Sequence, residues 1–526
     1  MKRLIVLLAM LAATATAARA ETEIPSSSRP PPDASFHAVR DVVDACAYGE
    51  GDAAIQACSR LISSGQWTDK LLEWAYFDRG WLYYKNKQYD LALADIEHIV
   101  ALEPDEPEAR YRRGLFLLEL GRLDPALADL DRAIRSEPDK SYMLMARSDV
   151  LERLHRYAES IADLDKAIQL KPGDADLLAI RGFTRLHSGD RQGALSDLTS
   201  ALALEPGNAA YLVMRAEIYR LNHDYDRAVA DIDRALQSKP DDGSALMERG
   251  LVESSQGRYD RALEDMGKVI AAGGAKAGWH VDRGGVYVHL KQYDHALEDM
   301  EAAIKLDPND AVAFYGRGRV RLYTHDYAAA LPDFDRALAI DPGYGSAYLR
   351  RAQALSALGE ADRAIADLKA LEKLEPNKGA TLVDIASVYL TLRRYDASLG
   401  YLDRAIALDP KDHVAFNNRC WTRAVWGRDL DAALADCAQS LSIKPDDTYS
   451  YASRALVYLK QDKPALAIAD CDAALKIDPR SADAFYIRGR ARLGSGDKEG
   501  GDADIAAAKA IDAGIADEYE KYGIAP

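Results

Sequence analysis

Long apolar runs are nearly absent from this 526-residue chain. The one continuous run, Leu4 to Ala13, is too short for the ~20 residues that a membrane-spanning helix needs. Stable membrane insertion is therefore not expected. Positive charge is in deficit as well: the formal net charge is −17. Nucleic acid and anionic membranes both require a basic surface, so neither is an expected partner. Metal-ligand spacings are missing, with no Cys-x-x-Cys and no His-x-x-x-His, so neither a metal nor a cofactor is expected. His280, His289 and His295 lie near one another, but spacings of nine and six do not share a helix face, and they read as solvated histidines. There is no His-Glu-x-x-His, no Gly-x-Ser-x-Gly and no phosphate loop ending in Gly-Lys-Ser/Thr. An enzyme is not expected.

What is present begins at the N-terminus. Lys2 and Arg3 precede the apolar run, and Ala18-Arg19-Ala20 precedes Glu21. That pattern predicts a secretory signal peptide over residues 1–20, hence an exported protein, periplasmic or secreted. No cysteine starts the mature chain, so a lipid anchor is not expected. Residues 21–35, with Pro25-Ser-Ser-Ser-Arg-Pro-Pro-Pro32, read as an extended tether.

From there a period of 34 residues takes over. Pro104, Pro138, Pro172, Pro206 and Pro240 are evenly spaced, and the beat returns at Pro308, Pro342, Pro376, Pro410, Pro445 and Pro479. Gly274 stands where one proline is missing. A fixed period of this size marks a repeat array. Thirteen units run over 73–515, and each carries a small residue at its eighth and its twentieth positions, as in Gly318 and Ala330. These lie on two stretches with helical apolar spacing, for instance Ala228, Ile232, Ala235 and Leu236. Each unit is thus predicted to be a helix hairpin, here called its first and second helix. The proline stops the second helix, because it lacks an N–H and clashes with the preceding turn.

The seventh position is Arg and the 23rd is Asp in every unit but 379–412, which has Ile385 and Tyr401 instead. Joint loss within one unit predicts an ion pair inside the hairpin, exemplified by Arg317 and Asp333. Cys420 and Cys437 fall on facing helices of one hairpin, and Cys46 and Cys58 in a shorter helical pair before the first full unit. In an exported chain both pairs are expected as disulfides, with buried free thiols as the alternative; Cys471 is left over. Gly267, Gly273-Gly274 and Gly284-Gly285 cluster at one junction. That cluster reads either as a hinge or as glycine capping a helix in the left-handed conformation.

Units such as Ala313-Phe-Tyr-Gly-Arg-Gly through Tyr327 and Ala330 to Pro342 resemble the tetratricopeptide repeat family, over about five-sixths of the chain. The resemblance implies an all-α, right-handed superhelical solenoid with a concave groove. It also implies a non-catalytic scaffold or assembly adaptor that binds a protein or peptide partner. The chain divides accordingly into the signal peptide, the tether, an N-terminal helical hairpin (36–72), the array (73–515) and a C-terminal cap (516–526). In the family the groove is lined from the first helices, near positions two, five, nine and twelve. Here those positions give Trp74, Phe77, Trp81 and Tyr84 in the first unit, and later Tyr315, Arg319, Asn417, Trp421, Tyr449, Tyr486 and Arg490. The aromatic stripe Trp74–Tyr84 suits a peptide anchor. It equally suits stacking on a sugar, which makes a polysaccharide the second candidate partner, and it equally suits packing against the Cys46–Cys58 hairpin. The Lys and Asn of the family's carboxylate clamp are absent, so a chaperone tail is not an expected ligand.

Overall fold

In the computed structural model, residues 40–65, 69–273 and 276–524 are described; the expected signal peptide, the tether and Gly274 lie outside them. Regular structure among the described residues is helical throughout, 29 helices from Arg40–Tyr48 to Ile515–Lys521. The chain is an all-α solenoid of helix hairpins, and it divides into two compact units, up to Trp279 and from His280. In each, a first helix packs against its own second helix, which packs against the next first helix. In the second unit the first helices Gly379–Thr391, His413–Trp426, Thr448–Lys460 and Ala482–Gly494 also touch in succession, so their outward faces form one surface.

The period has a local cause at each corner. The second helix Arg191–Leu204 closes just before Pro206. Asp or Asn often starts the next first helix: Asn208 accepts from the N–H of Ala210 and Tyr211, and Asp242 from Ser244 and Ala245. Between first and second helix, one residue takes a left-handed conformation, or two, Gly427 and Asp429, in the hairpin of His413–Trp426. The single residue is Gly121, Gly189, Gly257 or Gly359 in some units and Lys87, His155, Lys291 or Arg393 in others. Its neighbours then satisfy the helix-end carbonyls, as where Gln88 N–H donates to Tyr83 O.

The small residues set how closely the two helices approach. A Cβ on Gly489 would lie 2.9 Å from the Gly501 carbonyl oxygen, and one on Gly318 would lie 2.8 Å from the Phe334 ring. Where the twentieth residue is serine, it spends the proximity on a hydrogen bond: Ser160 donates to Ser148 O and Ser398 to Ala386 O, each at 2.9 Å.

Twelve hairpins carry a two-pronged Arg–Asp bridge, with Nη2 to Oδ1 distances of 2.6–2.9 Å. The bridge inferred from joint loss is incomplete as a description, because the arginine often has a second acid. Arg147, Arg181, Arg351, Arg419 and Arg488 also reach Asp131, Asp165, Asp335, Asp403 and Asp472 in the preceding unit, at 2.6–2.8 Å. Lys369 holds that preceding position next to the unit with Ile385. A lysine is tolerable there because no arginine faces it. Ile385 is buried, and Tyr401 stacks on Tyr389 and donates to Glu372 at 2.7 Å.

Candidate interaction surface

At the N-terminal end the structure divides the aromatic stripe. Trp74 packs on the short hairpin of Arg40–Tyr48 and Gly51–Ser63, among Cys46, Cys58 and Leu61. Cys46 and Cys58 stand at disulfide distance, 4.9 Å between Cα atoms. Trp74 is therefore partly buried against that hairpin and not an open groove residue. Phe77, Trp81 and Tyr84 pack instead on the array core. Tyr84 lies between Trp81 and Phe116, with ring centroids 5.1 Å away on either side. Arg112 covers the other two rings, 4.8 Å from the centroid of Phe77 and 5.5 Å from that of Trp81. Beside them Asp78 is pushed up to about 7 by burial, against the opposing pull of Arg112 and Lys85.

Further along, Arg319 lies between two tyrosines, 5.6 Å from Tyr315 and 5.7 Å from Tyr323. Its Nη2 donates to Tyr323 Oη at 3.1 Å, a bond that holds Tyr323 below its ordinary pKa. Tyr315 also meets Tyr344 at 4.8 Å. Arg319 Nε and Asn417 Oδ1 are buried without a hydrogen-bond partner among the described residues. Arg317, two residues from Arg319, turns away into its bridge with Asp333.

At the C-terminal end, the surface is already covered. The helix Ile515–Lys521 lies across it. Tyr519 is fully buried, its ring 4.6 Å from Tyr486 and 6.2 Å from Trp421, and its hydroxyl donates to Asp483 at 2.8 Å. Tyr522 meets Trp421 edge-on at 5.7 Å. Tyr486 is only 1% exposed, so neither it nor Trp421 is the open groove residue that its position suggested. Arg490 Nε is buried there without a hydrogen-bond partner among the described residues, and Tyr449 is 70% exposed. Cys420 and Cys437 stand at disulfide distance behind this surface, 5.5 Å between Cα atoms. Cys471 is a buried free thiol, its ionisation suppressed by burial; Ala455 occupies the position from which a partner would have to come.

Several residues of this surface escaped the positional rule. Arg112 and Asp78 fall at position six, Tyr323 and Lys460 at position thirteen. They border the expected positions on the same helix face. The spacing of Ile515, Tyr519 and Tyr522 (i, i+4, i+7) was a signal for an apolar stripe on the cap.

No group of three or more His, Cys, Asp or Glu among the described residues could hold a metal ion. No helix among them is long and apolar enough to cross a membrane.

Four sequence profiles, each described as tetratricopeptide repeat, match residues 79–150; 185–248 and 322–377; 247–311 and 453–518; and 141–174 and 380–412. The chain belongs to the tetratricopeptide repeat family. No curated protein matches it by sequence. Among solved structures it is similar to the Cut9–Hcn1 hetero-tetramer of the APC/C, with 16% identity, 86% of this chain and 96% of that one covered, and a TM-score of 0.43. It is similar to yeast Tom70 at 17% identity, with coverages of 82% and 97% and a TM-score of 0.43. A tetratricopeptide repeat protein from Parabacteroides merdae matches at 19% identity, with coverages of 47% and 98% and a TM-score of 0.41. Repeat arrays of this kind are, in general, protein-interaction scaffolds.

Proposed function

We propose that this protein is an exported, non-catalytic scaffold of a bacterial cell envelope that holds a polypeptide partner along the outward faces of its first helices. The observation that carries this is the seating of a polypeptide segment, residues 515–524, on that face of the last units. The eighth and twentieth positions are spent on packing and the seventh and 23rd on the Arg–Asp bridges, which leaves the outward first-helix face as the variable surface. Its chemistry changes from unit to unit, from the Phe77–Arg112 cluster to the Tyr315–Arg319–Tyr323 stack. That variation suits an extended or helical polypeptide better than a repeating sugar. A glycan would also need free ring faces, and Arg112 covers those of Phe77 and Trp81.

The test is capture of partners from an envelope extract by the mature protein and by a Tyr323→Ala/Tyr449→Ala variant. Both rings are exposed, 37% and 70%, so their removal opens no core cavity. A protein retained by the parent and depleted by the variant is the expected result. Enrichment of nothing by either form would count against the scaffold reading.

A further inference from the structure

The last helix does not behave as another repeat. A repeat's first helix touches its immediate neighbours, whereas this segment reaches back across four units. It hydrogen-bonds Asp483 in the last unit, Lys460 in the one before and Arg393 in the unit of Gly379–Thr391, and meets the ring of Trp421 in the unit between. The contacts follow a helix's polarity. Lys460 Nζ donates to Tyr522 O at 2.9 Å and Arg393 Nη2 to Lys521 O at 3.4 Å, so two cations serve the carbonyl end, where a helix carries partial negative charge. Ile515, Tyr519 and Ile524 are buried against the surface, while Asp517, Glu518 and Glu520 face solvent. Gly523 is left-handed, and the N–H of Ile524 donates to Tyr519 O, which turns Ile524 back onto the same core.

We infer that residues 515–524 are a built-in ligand, and that the surface they cover accepts from a partner a short helical peptide with one aliphatic and two aromatic residues at i, i+4 and i+7. This rests on the groove reading above and gives it a chemistry. The site is built for main-chain carbonyls and rings: Lys460 and Arg393 for the former, Trp421 and Tyr486 for the latter, with Asp483 as acceptor for a phenolic hydroxyl. A seven-residue helix has no stability of its own in water. Its order comes from the groove, and a competitor of the same pattern replaces it without breaking any hydrogen bond within the repeats. The segment therefore sets a threshold that a partner must exceed.

The test uses the full chain and a fluorescein-labelled peptide of residues 513–524, read by anisotropy. The parent is compared with a Tyr519→Ser/Tyr522→Ser variant of unchanged helicity. The variant should bind the peptide at least about ten-fold tighter than the parent, whose site is self-occupied, and a further Trp421→Ala change should abolish binding. Equal binding to both, or none to the folded variant, overturns the inference. Hydrogen exchange on the unmodified chain gives a second measure that needs no variant. The amides of Tyr522, Gly523 and Ile524 should exchange by local opening, well ahead of those in Ala482–Gly494; equal protection overturns it. Partners captured through Tyr323 while the peptide fails would remove this inference alone. Failure of both would remove the groove reading with it.

Discussion

At the scale of single residues, the Arg–Asp bridge shows how a charged pair is kept inside a hairpin. Asp333 is almost fully buried and accepts from Nε and Nη2 of Arg317 and from Nη1 of Arg321. Arg317→Ala therefore leaves Asp333 a remaining partner, which blunts that site as a test. Arg454 and Asp470 form a cleaner pair: Tyr458 stands where the Arg317 unit has Arg321, and Ala438 holds the preceding position where several other units have an acid. Arg454→Ala should destabilise by roughly 3–5 kcal/mol, since it strands a buried carboxylate, and adding Asp470→Ala should restore much of that. Urea midpoints of the single and double variants decide it; a double variant no more stable than the single contradicts the pairing.

Asp78 makes a second residue-scale prediction. Burial raises its folded pKa to about 7 from an ordinary value of 3.8. Between those values the folded chain keeps a proton that the unfolded chain has released, so stability drains as pH rises through that window. Relative to Asp78→Asn, the parent should lose stability between pH 4 and pH 8. A constant difference between the two across that range contradicts the assignment.

Elements are where the sequence was most legible. The proline, the two small positions and the apolar spacing each have one local cause, and each acts within its own hairpin. That is why the sequence alone pairs Cys420 with Cys437 and Arg317 with Asp333. The second acid of the bridge was not legible, because it depends on how consecutive hairpins lean together and repeats in only some units. The close approach makes its own prediction. Gly489→Val would drive a side chain against the backbone carbonyl of Gly501 and the side chain of Ile505, which cannot both yield. It should cost about 1–3 kcal/mol, measured as a drop in the denaturant midpoint. Lys291→Gly, at a left-handed turn position, should instead leave stability unchanged or raise it; a loss there would show that the turn is held by its side chain.

For the whole molecule, the array explains why so much of the chain reads as one pattern and why the outward face of the first helices does not. Repeat positions are constrained by packing, so they recur; the outward face of the first helices is free of that constraint, and its residues change from unit to unit. The positional rule named Trp421 and Tyr486 as groove residues, but nothing local in the sequence placed a chain segment on top of them. That depends on stacking, which brings Arg393, Trp421, Lys460 and Asp483 within reach of one short helix. Trp74 shows the opposite case, a groove position claimed by the N-terminal hairpin. The central claim is that the first-helix face, and not the second-helix face, meets a polypeptide. The most direct measurement is photo-crosslinking in intact cells, with a benzophenone amino acid at Tyr323 or Tyr449 on first helices and at Leu91 or Leu466 on second helices, all exposed. Discrete protein adducts from Tyr323 and Tyr449 alone are the predicted result; adducts arising only from Leu91 and Leu466 would contradict it.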